Sequence, residues 1–232
     1  MKLFFGTIYP EIKIHEEEQQ HIVKVLRMKS GETIFLTDGE GHLVKGELEL
    51  EGKKAVLKNV EIQESLQSNT SKLHIAIAPT KNIDRTEFFV EKATELGIDE
   101  ITFLITDKSE RKQLNIDKIR KQAIAASKQS LRVYFPIINE ATKLSEFIKT
   151  INPAQTFVAH CDENFERIAL NALPIAQDMV VLIGPEGDFS PKEIQMLSEK
   201  GIKAVSFGTQ RLRTETAGVF VAAHRLSMQG NH

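Results

Sequence analysis

From residue 73 onward, short apolar runs alternate with longer stretches of helical period, and this alternation constrains the fold more than any other feature. Residues 73–78, 101–105, 156–160, 180–183 and 204–207 are brief and rich in Ile, Val and Leu, as buried strands are. Between and after them lie 84–96, 116–130, 192–200 and 215–228, where apolar residues recur every three or four positions. Strands separated by helices predict an α/β domain with a mainly parallel sheet. Local signals agree. Glu87 follows Asp84 at capping-box spacing and Gly97 can stop that helix, while Ser190-Pro191-Lys192-Glu193 is a capping box with proline at the first helical position.

The first 70 residues have a different texture. Residues 33–37 and 42–50 alternate apolar and polar side chains around Asp38-Gly39-Glu40-Gly41, a hairpin signal. A turn at Glu51-Gly52-Lys53-Lys54 leads to 55–62 with the same period, and Ile22, Val25 and Leu26 predict one short helix over 16–28. The polar stretch 64–72, ESLQSNTSK, reads as a linker. The expected organisation is therefore a small β domain over 1–70 and an α/β domain over 71–232.

Charge and cysteine content narrow the function. The chain has 232 residues, 41% of them hydrophobic and 27% charged, with a formal net charge of -2. Residues 1–70 hold nine Lys and Arg against twelve Asp and Glu, so bulk attraction to nucleic acid is not the design. The stretch 108–132 is different, with eight basic residues (Lys108, Arg111, Lys112, Lys118, Arg120, Lys121, Lys128, Arg132) and two acidic ones. Such a strip is either a phosphate-binding surface or a solvated helix face. One cysteine, Cys161, excludes an internal disulfide and a multi-cysteine zinc site. No apolar run approaches the length of a membrane span. A cytoplasmic protein is expected.

Two loops after strands ask for a ligand. The first, GPEGDF at 184–189, places two glycines and a proline between an apolar strand and a capped helix. Ligands of open α/β sheets bind beyond the carboxyl ends of the strands. Glycines there let main chain approach a large group, although a plain tight turn reads the same way. The second, SFGTQRLRTETAG at 206–218, carries Arg211 and Arg213 just before Thr214, a candidate cap for a helix start that favours anions. Neither is a dinucleotide or P-loop fingerprint. There is no HExxH and no GxSxG, and His160-Cys161-Asp162 is better suited to packing than to holding a metal.

Taken together, LIGPEGDFSPKEI and VSFGTQRLRTETA resemble the bacterial 16S ribosomal RNA uridine-N3 methyltransferases, a branch of the SPOUT class. HIVKVLRMKSGE at 21–32 and EKATELGIDEITFLITDKSE at 91–110 are similar to family segments as well. Asp188 departs from the pattern by standing where the family has a second glycine after GPEG. The resemblance implies a PUA-like β-barrel for RNA binding, a trefoil-knotted α/β domain, a homodimer and S-adenosylmethionine as cofactor. It implies a 16S rRNA or small-subunit partner and no metal. Carried over residue by residue, it places the cofactor against Leu182, Ile183, Gly184, Gly187, Ser206, Phe207, Gly208, Leu212, Arg213, Thr214 and Ala217, with His160 in the same cleft. Arg213 and Arg211 are then candidates for stabilising charge on the uridine, and Glu186 and Glu215 for accepting its N3 proton. Lys24, Arg27 and Lys29, with Arg111, Lys121, Lys128 and Arg132, are candidates for RNA contact. A SPOUT enzyme for another RNA site, or a ribosome-assembly protein without catalysis, is the alternative.

Overall fold

The computed structural model describes residues 1–52, 54–63, 71–162, 165–173 and 177–229. Contacts divide the chain into two compact units, Met1–Ser68 with Ile124–Phe135, and Asn69–Ala123 with Pro136–His232. The expected linker lies, up to Thr70, outside the described residues, as does Lys53 of the second turn. Ile124–Phe135 groups with the first unit, where a single cut at residue 70 would have put it in the second.

In the first unit the strands are β1 (Leu3–Thr7), β2 (Lys13–Ile14), β3 (Thr33–Thr37), β4 (Leu43–Glu51) and β5 (Lys54–Gln63). They form one sheet in the order β2-β1-β3-β4-β5. Only the β1–β3 pair is parallel. The β3–β4 turn is held by the Asp38 carboxylate, which accepts from the backbone N–H groups of Glu40 and His42. Phe4, Ile22, Ile34, Leu36, Val44 and Leu48 fill the core. The helix expected over 16–28 is instead α1 (Glu16–Gln20) followed by a π-helical turn, His21–Val25. The wider turn brings both Ile22 and Met28 into the core. Arg27 takes a left-handed φ of 48° as the chain leaves it.

The second unit is layered α/β. In chain order it contains β6 (Leu73–Ile77), α2 (Ile83–Glu95), β7 (Glu100–Ile105), α3 (Ile116–Gln129, of which the part up to Ala123 belongs to this unit), β8 (Ile137–Ile138), β9 (Thr142–Lys143), α4 (Leu144–Phe147), β10 (Thr156–Ala159), β11 (Arg167–Ala169), β12 (Met179–Ile183), α5 (Pro191–Glu199), β13 (Lys203–Ser206) and α6 (Thr214–Gln229). Its strands pair in parallel in the order β11-β13-β10-β12-β6-β7-β8, with β9 also beside β7. Alternation along β12 sends Val181 and Ile183 to one apolar layer and Leu182 to the other. The N-cap of α2 is Asn82, whose side chain accepts from the Asp84 N–H, rather than Asp84 itself. The α5 capping box forms as its sequence predicts, with Ser190 and Glu193 bonding each other's backbone N–H. Gly218 lets α6 pack closely on α2, since a Cβ there would stand 2.4 Å from the Phe89 ring.

Candidate active site

Three consecutive positions across the sheet, β13, β10 and β12, end at one cavity of about 370 Å³. The end of β10 contributes Ala159, His160 and Cys161. The GPEGD loop after β12 contributes Ile183, Gly184, Pro185, Glu186 and Asp188. The loop from β13 into α6 supplies most of the rest, from Val205 and Ser206 through Arg211 and Arg213 to Ala217. Ile183, Val205 and Ala217 are buried and give an apolar floor. Much of the remaining wall comes from the two loops.

Side chains from neighbouring loops fix these walls. The Thr214 hydroxyl donates to the Gly184 carbonyl at 3.1 Å, so Thr214, the first residue of α6, ties the two ligand-facing loops instead of capping the helix. Behind the GPEGD loop, Lys108 Nζ donates to the carbonyls of Gly187 and Phe189 at 2.9 and 3.2 Å. Ser190 Oγ donates to Asp107 Oδ2, and the Asp107 N–H donates to Glu193 Oε1. Gly184 needs its hydrogen for its own loop, because a Cβ would come within 3.1 Å of the Phe189 ring.

His160 is buried at the cavity wall and lies edge-on to Phe165. Its Nδ1 accepts from the Asp162 N–H at 3.2 Å, which assigns the ring proton to Nε2. Burial holds the imidazole below its ordinary pKa, with Arg167 acting the same way and Asp188 and Asp162 opposing. At neutral pH the ring is uncharged.

Of the residues expected at the cofactor, Ile183, Gly184, Ser206, Phe207, Gly208, Leu212, Arg213, Thr214, Ala217 and His160 line the cavity. Leu182 does not, because strand alternation points it into the opposite layer. Gly187 stands outside as well, against the Lys108 stem. Arg211 and Glu186 face the cavity, and Glu186 Oε1 accepts from the Lys81 N–H at 3.0 Å. Glu215 is buried away from it, 3.8 Å from Arg85. Arg167 and Asp188 are the charged wall residues that sequence reasoning missed; the departure at Asp188 was the available signal.

The expected RNA contacts divide. Lys24, Arg27 and Lys29 are exposed in the first unit, and Lys121 is exposed on α3. Arg111 instead donates to the carbonyls of Thr80 and Lys81, Arg132 to that of Tyr134, and Lys128 pairs with Glu18. Lys108, Lys118 and Arg120 of the same strip also have partners within the chain. The strip is largely structural. Among the described residues no group of three metal-ligating side chains exists, and no helix is long and apolar enough to cross a membrane.

A parallel sheet with a loop-walled cavity at its strand ends, accompanied by a small β unit, fits a class that the comparisons identify: an RNA methyltransferase of SPOUT type with a PUA domain. The family model described as an RNA methyltransferase domain matches residues 67–225, and that of an RNA methyltransferase PUA domain matches 14–61. The chain belongs to the ribosomal RNA small subunit methyltransferase E family. The protein of that name from Rickettsia conorii is 30% identical over 227 residues, covering 96% of this chain and 91% of that one. A solved structure of a probable rRNA methyltransferase from Porphyromonas gingivalis is 35% identical, with a TM-score of 0.88 over 99% of both chains. A methyltransferase structure from Legionella pneumophila, in complex with the bound cofactor SAM, is 28% identical, with a TM-score of 0.84 over 98% of this chain and 97% of that one.

Proposed function

We propose that this protein methylates N3 of a uridine in the 16S RNA of the small ribosomal subunit, using S-adenosylmethionine. The observation that carries the reading is the cavity where the GPEGD and RLRT loops meet, tied by the Thr214–Gly184 bond. Its apolar floor and main-chain walls suit an adenosyl group, whose flat base needs close approach and whose edges need backbone partners. Ile183, Gly184, Ser206, Phe207, Gly208, Leu212, Thr214 and Ala217 would hold it. When bound, S-adenosylmethionine supplies an electrophilic methyl group.

The chain's own residues meet the other demand, which is to make uridine N3 a nucleophile. As the N3 proton leaves, negative charge spreads onto the ring oxygens. The Arg213 guanidinium, exposed at the cavity mouth and always charged, stabilises it. Arg211, two residues earlier and also lining the cavity, would hold a phosphate of the target strand. Glu186 is the proton acceptor of this scheme: the Lys81 amide fixes one carboxylate oxygen at the cavity and leaves the other for the base. Glu215 has no direct part. Lys24, Arg27 and Lys29 on the β unit, with Lys121, contact RNA phosphates.

The same reading includes a trefoil knot and a homodimer working in the cytoplasm, where ribosomal subunits are. For the knot, the support is that β13 lies between β10 and β11 although it follows both in sequence. For the dimer, it is the exposure of Phe88 on α2 and of Phe220 and Leu226 on α6. Calorimetric titration with S-adenosylmethionine tests the cofactor assignment. Binding at one site per chain is expected, and absence of binding refutes it.

A further inference from the structure

Asp188 has a backbone φ of 61°, in the left-handed region that residues other than glycine enter at a cost, Asn and Asp most readily. Its side chain holds that turn and something beyond it. Oδ1 accepts from the Phe189 N–H at 2.7 Å, and the Asp188 N–H donates to the Pro185 carbonyl at 2.9 Å. Oδ2 accepts from the Cys161 N–H at 2.8 Å, on the loop after β10. One carboxylate therefore joins two walls of the cavity while lining it.

The charges around the cavity make that carboxylate distinctive. Three guanidiniums line the space, Arg167, Arg211 and Arg213, and two carboxylates, Glu186 and Asp188. Glu186 is exposed at the mouth. Asp188 is half-buried beside His160, whose ring is uncharged at neutral pH. A half-buried negative charge fixed by two backbone N–H groups, in a cavity lined by three guanidiniums and one other, exposed carboxylate, has a use when the ligand's own charge changes during the reaction.

We propose that Asp188 is a specificity determinant of this cavity: its carboxylate makes the site prefer a cationic sulfonium donor to the neutral thioether product. The inference rests on the cofactor reading above. S-adenosylmethionine and S-adenosylhomocysteine share their adenosyl and amino-acid parts, so apolar floor and main-chain walls grip both alike. They differ by one methyl group and one unit of positive charge at sulfur. A fixed carboxylate responds to that charge: it favours loading of the donor and adds nothing to the hold on the neutral product.

The test is calorimetric titration of the wild type, Asp188→Asn and Asp188→Gly with each ligand separately. Asparagine tolerates the left-handed backbone and keeps one oxygen acceptor, so Asp188→Asn removes the charge together with one of the two backbone bonds. The lost bond lowers both affinities alike, and the lost charge is expected to weaken S-adenosylmethionine about tenfold more than S-adenosylhomocysteine, collapsing the preference. Asp188→Gly keeps the backbone conformation and loses both acceptors, and is expected to weaken both ligands. A merely structural role for Asp188 would lower both affinities together in Asp188→Asn; that unchanged ratio overturns the inference alone. Failure of the wild type to bind either ligand overturns the cofactor reading and this inference with it.

Discussion

Replacing Lys108 with methionine tests whether the GPEGD loop is held in shape from outside the cavity. Lys108 follows β7 and does not itself line the cavity, but its ammonium group bonds the carbonyls of Gly187 and Phe189 at 2.9 and 3.2 Å. Its stem also lies where a Cβ on Gly187 would be in contact, 3.4 Å away. Methionine keeps that stem and deletes both bonds. Hydrogen bonds to a charged group contribute about 1.5–3 kcal/mol each when shielded, and an exposed lysine retains only part of that. A loss of about 1–2 kcal/mol in loop order corresponds to about 5- to 30-fold weaker cofactor binding. Calorimetry with S-adenosylmethionine reads this directly, and circular dichroism confirms that the fold is intact. An unchanged dissociation constant would refute the reasoning, because the loop would then hold its shape without the lysine.

Arg213→Ala should lower the methyl-transfer rate by at least about a hundredfold while leaving S-adenosylmethionine affinity within about threefold, as befits a group acting on charge in the transition state; loss of cofactor binding instead would make it a binding residue. Gly218→Ala forces a methyl group to 2.4 and 2.5 Å from buried Phe89 carbons, so overpacking of about 1–3 kcal/mol should exceed the helix-propensity gain of about 1 kcal/mol. A urea midpoint no lower than the wild type's would contradict the close packing of α2 and α6. His74, held below its ordinary pKa first by burial, with Glu100 opposing, should make stability fall with acid. The unfolded imidazole takes up a proton at about pH 6.5 while the folded one resists, so the unfolded state gains protons first and stability is lost as pH drops below that value. Denaturation of His74→Gln between about pH 7.5 and 5 should show a shallower loss than the wild type, and equal slopes would count against it.

What could be read from sequence was whatever depends on local chemistry. Ser190 and Glu193 specify the start of α5 by themselves, and the apolar runs at 101–105 and 180–183 became β7 and β12 with ends moved by a residue. The two loops of the cavity were legible because strands of known direction carry their loops to one edge. Features set by distant partners were not. β1 has no turn signal of its own and exists because it pairs in parallel with β3, some thirty residues on. The π-helical turn at 21–25 follows from a core that needs both Ile22 and Met28, which no helical period expresses. The basic residues of 108–132 looked available because their acceptors are mainly carbonyls and acids far along the chain, such as Glu18 for Lys128 and Thr80 for Arg111. Leu182 lies off the cavity for a different reason: period-two alternation in β12 separates it from Ile183, and the pattern was present in the sequence.

The reaction itself is open to direct measurement. Purified protein incubated with methyl-labelled S-adenosylmethionine and small ribosomal subunits from a strain lacking this gene, followed by digestion of the 16S RNA to nucleosides, identifies the modified base. Label is expected in N3-methyluridine, at a stoichiometry approaching one per subunit and abolished in Arg213→Ala. Label in another nucleoside, or none in RNA despite measured cofactor binding, would contradict it.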